Sequence, residues 1–235
     1  LSCGITSDGE QYCWGDLSPF GLDDASFATQ VSADTSWTQV ASDDYTTCRI
    51  SDAGVVSCMG LNASGQLGQG SVNGYEREVL IPMVVEGIKA SDVGFTETQM
   101  CIIDAGETPG QVRCWGAANI YGNGGVEAPQ TVSDSLPIID DASQAIDATA
   151  LASGRFHSCA ILNDGSVSCW GDHPNNINTL NVDSGLTASR VHHAQVDTPS
   201  EPAELLENVT ALSAGFRQTC AIHGDDQAVV CWGVS

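Results

Sequence analysis

Residues 157–171, His157-Ser158-Cys159-Ala160-Ile161-Leu162-Asn163-Asp164-Gly165-Ser166-Val167-Ser168-Cys169-Trp170-Gly171, read as a β-hairpin. Asn163, Asp164 and Gly165 form a three-residue turn, and Gly165 is free to take the left-handed conformation that closes a bulged loop. Counting outward from this turn, Leu162 faces Ser166, Ile161 faces Val167, Ala160 faces Ser168 and Cys159 faces Cys169. Two cysteines directly opposite on neighbouring strands lie within disulfide reach when they occupy a non-hydrogen-bonded pair. The register therefore predicts a bridge that staples the hairpin.

The same unit recurs, and self-similarity of this kind decides the fold class before any local reading. Residues 3–15 repeat it around Ser7-Asp8-Gly9, with Cys3 opposite Cys13. Residues 48–60 repeat it around Asp52-Ala53-Gly54, with Met59 where the other copies have tryptophan. Residues 101–116 carry a longer turn between Cys101 and Cys114, and residues 220–233 turn through His223-Gly224-Asp225-Asp226-Gln227 between Cys220 and Cys231. All 10 cysteines are consumed, two per copy: Cys3–Cys13, Cys48–Cys58, Cys101–Cys114, Cys159–Cys169 and Cys220–Cys231.

Short-range cysteine pairs point to an oxidising compartment. Zinc is disfavoured, because its sites gather four ligands at Cys-x2-4-Cys spacing, and no histidine stands at a fixed offset from these cysteines. Each small closed loop is worth ~2–3 kcal/mol by the chain-entropy estimate. The chain has 30 acidic residues, 7 basic ones and a net charge of −23, which argues against nucleic-acid binding and against anionic membrane surfaces. No apolar run approaches ~20 residues, so no membrane-spanning helix is expected.

After each hairpin comes a turn-rich segment, then two strand-like runs, then the next hairpin. In the second unit these are the glycine-rich residues 60–70, then residues 79–85, then residues 88–94. Four strands per repeat of this length is the signature of a propeller blade. In residues 159–170 Cys159, Ile161, Val167 and Cys169 point to one face, and Ala160, Leu162 and Trp170 to the other. Apolar residues on both faces suit a sheet packed between two neighbours. The fold class is thus all-β, a β-propeller of about five four-stranded blades, one of them incomplete. The expected domain is a single one, residues 1–235, with hairpin cores at 3–15, 48–60, 101–116, 159–171 and 220–233.

Linked motifs carry a family resemblance. Gly-x-Asn-x-x-Gly-Gln-Leu-Gly-x-Gly at residues 60–70, Pro-x-x-Val at 129–132 and Ala-Ser-Gly-x-x-His-Ser-Cys-Ala-Ile at 152–161 resemble the regulator of chromosome condensation repeat family. The resemblance covers nearly the whole chain except residues 17–34 and 173–198. It implies a β-propeller. The family includes a nuclear exchange factor for a small GTPase, bacterial propellers that inhibit β-lactamases and many secreted proteins. Acidity and paired cysteines set this chain apart from the exchange factor and resemble the secreted, disulfide-bearing branch.

No catalytic constellation stands out. His192-His193 is the only adjacent histidine pair, and neighbouring residues on a strand point to opposite faces. His157, with Arg155 nearby, occupies a repeat position filled elsewhere by Thr46, Thr98 or Gln218, which favours a structural role. The pairs Asp23-Asp24, Asp43-Asp44, Asp140-Asp141 and Asp225-Asp226 lie outside any Asp-x-Asp-x-Asp-Gly loop, so they read as solvated turns, with calcium as the alternative. Trp14, Trp115, Trp170 and Trp232 share one repeat position and read as packing between blades rather than as a ligand ladder. Asn62 and Asn208 stand in glycosylation tripeptides.

The sequence is therefore expected to be a secreted, extracellular or cell-surface scaffold. It would bind protein or self-assemble through its loops, without catalysis, cofactor, nucleic acid or membrane insertion. The alternative is a propeller hydrolase or lyase with acidic loop residues at the propeller mouth. The chain opens inside a repeat, at Leu1-Ser2-Cys3, and strand counting gives four quartets and a leading half. A longer polypeptide, or a neighbouring chain that completes the first blade, is the corresponding expectation.

Overall fold

The computed structural model describes residues 2–17, 23, 25–32, 36–42, 46–68, 78–85, 87–96, 99–116, 136–140, 144–171, 187–190 and 206–233. These residues form strands and turns, with no helix among them. The first sheet runs β1 (Ser2–Ile5), β2 (Gln11–Gly15), β3 (Ala25–Ser32). The second is β4 (Trp37–Ser42), β5 (Thr46–Ser51), β6 (Val56–Leu61), β7 (Glu78–Val84). The third is β8 (Ala90–Phe95), β9 (Gln99–Asp104), β10 (Val112–Gly116), β11 (Leu136–Pro137). After the short β12 (Ile139–Asp140), the fourth is β13 (Ala148–Ser153), β14 (His157–Leu162), β15 (Val167–Gly171), β16 (Thr187–Arg190), with β12 parallel to β16. The fifth is β17 (Val209–Ala214), β18 (Gln218–His223), β19 (Ala228–Gly233).

The hairpin register is set by its turn. Gly165 has φ 79°, its N–H donates to the Leu162 carbonyl at 3.0 Å, and the Leu162 N–H donates to Ser166 at 2.8 Å. Asp164 Oδ1 accepts the Ser166 N–H at 3.0 Å, which organises the turn locally. Ile161 then pairs with Val167, Ala160 with Ser168 and Cys159 with Cys169. In every copy the two cysteines are direct cross-strand partners, 4.0–4.1 Å apart at Cα and joined as disulfides.

Strand grouping differs from the four-and-a-half count. Of the two runs between successive hairpins, the first pairs with the hairpin behind it and the second with the hairpin ahead. Hence β3, β7, β11 and β16 close one sheet, while β4, β8, β13 and β17 open the next. The first and fifth sheets are three-stranded among the described residues. β16 lies inside residues 173–198, the stretch that carries no repeat motif; residues 129–132 and 202–205 lie outside the described residues.

Neighbouring sheets are joined by one recurring device. Trp115, Trp170 and Trp232, each next to the second cysteine of its hairpin, pack against the sheet before their own. Trp115 joins the cluster of Cys48, Ile50, Val56, Cys58 and Leu67; Trp170 joins Cys101, Ile103, Val112 and Cys114; Trp232 joins Cys159, Ile161, Val167 and Cys169. One face of a hairpin thus offers a disulfide socket and the other a tryptophan knob. Trp14, with no preceding sheet among the described residues, is 40% exposed. A second device is backbone. The hairpin carbonyls of Gly54, Gly110 and Gly165 accept the N–H groups of Ala90, Ala148 and Val209, which start the next sheet.

Residues 60–68 make a compact turn that serves the same joint. Asn62 Oδ1 accepts the Leu67 N–H at 3.0 Å, Gln66 Oε1 accepts the Ser64 N–H at 2.9 Å, and Leu67 is driven fully into the core. The Gln66 carbonyl then receives Trp115 Nε1–H at 3.0 Å. Asn62 is wholly buried, and its side-chain oxygen is engaged within this turn. Asn208 is exposed, in a left-handed conformation with φ 54°.

Candidate functional site

The opening strands β4, β8, β13 and β17 lie side by side. Together with the turns that follow β13 and β17 and residues of 61–66 they line a cavity of about 970 Å³. Its walls carry the hydroxyls of Ser42, Ser153 and Ser213 beside Leu151 and Leu212. Asp92 is the one carboxylate among its described lining residues.

Asp92 stands opposite Ile103, the position held by Gln39, Ala150 and Ala211 in the other sheets. It is buried, and it ties three sheets together. Oδ1 accepts from the Gln39 side-chain amide of the second sheet and from its neighbour Val93 N–H at 2.8 Å; Oδ2 accepts from Leu151 N–H of the fourth sheet at 2.7 Å. Burial pushes its pKa up, and the bonds from Leu151, Val93 and Gln39 only partly offset this. A carboxylate with its lone pairs committed to these donors is a structural keystone.

The turns at one end of the cavity form a second cluster. Gly154-Arg155-Phe156 leads into β14, and Gly215-Phe216-Arg217 leads into β18, the same place in adjacent sheets. The Phe156 and Phe216 rings meet edge to face at 5.3 Å. The Arg155 guanidinium lies over both rings, at 5.2 and 5.1 Å, and that of Arg217 lies over Phe216 at 5.3 Å. Phe216 is 53% exposed. Below the cluster, buried His157 Nε2 and Thr219 Oγ1 hydrogen-bond across the sheets at 2.6 Å. His157 is thus an inter-sheet tie.

Other acidic residues among the described ones lie apart from this site. Asp104, in the long turn of the third hairpin, accepts from Gly106 N–H at 2.6 Å, Thr108 N–H at 2.9 Å and Thr108 Oγ1–H at 2.7 Å, with Arg113 at 4.0 Å. Burial raises its pKa, but the Thr108 and Gly106 bonds and the Arg113 charge outweigh this, so the net shift is downward. Asp225 and Asp226 are exposed in the β18–β19 turn. Among the described residues no group of three or more His, Cys, Asp or Glu could hold a metal. His192, His193, Asp24, Asp43, Asp44 and Asp141 lie outside the described residues. Sequence reading missed both Asp92 and the Arg–Phe cluster. Its one available signal was the recurrence of arginine and phenylalanine after glycine, in exchanged order, at residues 154–156 and 215–217.

Residues 148–176, centred on the fourth hairpin, match the regulator of chromosome condensation (RCC1) repeat. That stretch is similar to one RCC1 repeat. Solved structures extend the likeness of fold beyond this one repeat. Human WBSCR16 superposes with a TM-score of 0.67 at 20% identity, over 95% of this chain and 55% of that one. Prp20p from Saccharomyces cerevisiae, described with its binding properties to Gsp1p and histones, gives 0.69 at 16% identity over 99% and 55%. The CRINKLY ectodomain of the Arabidopsis thaliana receptor kinase ACR4 gives 0.54 at 20% identity over 99% and 62%. The chain spans a little over half the length of these structures. Its five disulfides fit a disulfide-bearing branch of the RCC1-repeat group.

Proposed function

We propose that this RCC1-repeat chain is a non-catalytic protein-binding or assembly scaffold of an extracellular or cell-surface propeller, engaging its partner through the turns between strands. The observation that carries this reading is Asp92. The carboxylate in the cavity wall is held by donors from three sheets, and no second described carboxylate lines the cavity to share acid–base work with it. Stapled sheets with turns of differing sequence are suited to recognition. Protein binding is also what is named for Prp20p. Five disulfides support an oxidising exterior. The acidic chain, at net charge −23, disfavours nucleic acid as the partner.

The test is turnover. Glycoside and ester substrates incubated with the chain and with Asp92→Asn are expected to remain intact in both. Hydrolysis by the parent chain that disappears in Asp92→Asn would overturn the scaffold reading and restore the enzyme with an acidic mouth.

A further inference from the structure

We propose that Trp14 of one copy of this chain seats on the open Cys220–Cys231 socket of a second copy, so that the chain assembles head to tail through the joint it uses between its own sheets. This rests on the assembly side of the scaffold reading and names its surface and its partner.

The socket is a quartet of residues set by the hairpin register. Cross-strand pairing puts Ile50 against Val56, Ile103 against Val112 and Ile161 against Val167, each pair on the same face as its disulfide. In those three sheets every isoleucine, valine and cysteine of the quartet is at most 5% exposed, under the tryptophan of the following sheet. The fifth sheet keeps the same quartet, with Ile222 opposite Val229 and Cys220 opposite Cys231. There Val229 is 68% exposed and Cys231 is also exposed, with no following sheet among the described residues to cover them.

The knob stands open on the first sheet. Neighbouring residues of a strand point to opposite faces, so Trp14 lies on the face away from Cys13, which is fully buried. Trp115, Trp170 and Trp232 hold the same position and are at most 8% exposed, against 40% for Trp14. Of the four large apolar side chains that stand exposed among the described residues, two are this knob and this socket valine. Apolar residues scattered singly over a surface call for no explanation. These two are the halves of a contact that the molecule makes three times internally. With both exposed, neither covers the other within one molecule.

A second copy supplies the missing half at each face. A knob on one sheet and a socket on another make a heterologous contact, which generates rings or open arrays rather than a two-fold dimer. Seating Trp14 takes an indole out of water and covers Val229 and Ile222. The cysteines are all paired, so the contact is non-covalent. Charge opposes it, because each copy carries −23. That repulsion is screened beyond about 8 Å at physiological salt. Association through an apolar knob is therefore expected to strengthen as salt is raised, the reverse of a contact held by ion pairs.

The test is sedimentation velocity over a wide range of chain concentration, at low and high salt. The parent chain is expected to form species heavier than a monomer as concentration rises, and more of them at high salt. Trp14→Ala loses the knob and keeps the socket. Val229→Lys keeps the knob and puts a charge in the socket. Each alone is expected to weaken association by about tenfold or more. Mixed together, the two variants are expected to form a one-to-one dimer, since each supplies the half that the other lacks. Both changes lie at exposed positions, where substitution seldom unfolds a protein. Should Trp14→Ala not fold, Val229→Lys against the parent chain decides. A parent chain that stays monomeric at every concentration and salt overturns the proposal and leaves the two faces to other partners. Association that survives either folded variant, or folded variants that stay monomeric when mixed, also overturns it. These outcomes leave the non-catalytic reading standing, whereas substrate turnover lost in Asp92→Asn removes that reading and not this joint.

Discussion

Two aspartates respond to pH in opposite directions. Asp92 has a pKa raised above the ordinary carboxylate value, chiefly by burial. Its protonated form is therefore favoured by folding, and the associated stability is complete below the unfolded value and is lost as pH rises through the raised one. Asp104 has a pKa lowered by the Thr108 and Gly106 bonds and by Arg113, which together outweigh its burial. Its stability is complete above the ordinary value and is lost as pH falls through the depressed one. Urea midpoints measured across the acid range are expected to separate the two. Asp92→Asn flattens the decline on the rising-pH side, and Asp104→Asn flattens the decline on the acid side. Unchanged pH profiles in both variants would refute these assignments. Asp104 could be placed in a turn from sequence, but the role of Asp92 could not. Gln39, Ala150 and Ala211 hold its position elsewhere, and only the stacking of three sheets supplies its donors.

At the scale of the element, the hairpin was fully legible because its pairing is local. A turn centre plus alternation fixes every cross-strand partner, and the cysteines follow. The strands at the outer edges were harder. β11 is Leu136–Pro137 and pairs over two residues, and β16 is the polar Thr187–Arg190. Neither has a periodic pattern: β11 pairs with β10 alone, and β16 pairs over only two residues with each of β12 and β15. The tryptophan position was legible as packing, and the structure adds its direction. Removing a fully buried knob leaves a cavity over the preceding disulfide, so Trp115→Ala is expected to cost about 3–5 kcal/mol. Trp14, 40% exposed, is expected to cost about 1 kcal/mol or less. Thermal or urea unfolding of the two variants checks the ranking. Equal losses would mean that the knob does not act through the sheet before it.

For the whole molecule, the fold class was readable from the repeat, whereas the mouth of the cavity was not. Recurrence reports what the sheets share, and the cavity mouth is lined by residues that they do not share. Residues 154–156 and 215–217 differ in sequence from the acidic stretches at 43–45 and 97–98. Only the placement of β14 beside β17 brings the two rings within 5.3 Å.

The knob-and-socket joint also sets a chemical timetable. A thiolate reaches a disulfide only where the sulfurs can be approached. The sockets Cys48–Cys58, Cys101–Cys114 and Cys159–Cys169 are sealed, each cysteine at most 1% exposed, in clusters with the tryptophan of the following sheet. Cys220–Cys231 has no such lid among the described residues, and Cys231 is exposed. Under a mild reductant this bridge is expected to open first, with the three sealed ones yielding only when their sheets part. Timed alkylation followed by peptide mass spectrometry reads the sequence of events. Simultaneous labelling of all ten cysteines would show that the joints do not shield their sulfurs. If the bridges open in the expected order, they form a graded redox clock, read from one end of the array, in which the label on each thiol dates the loosening of the sheet next to it.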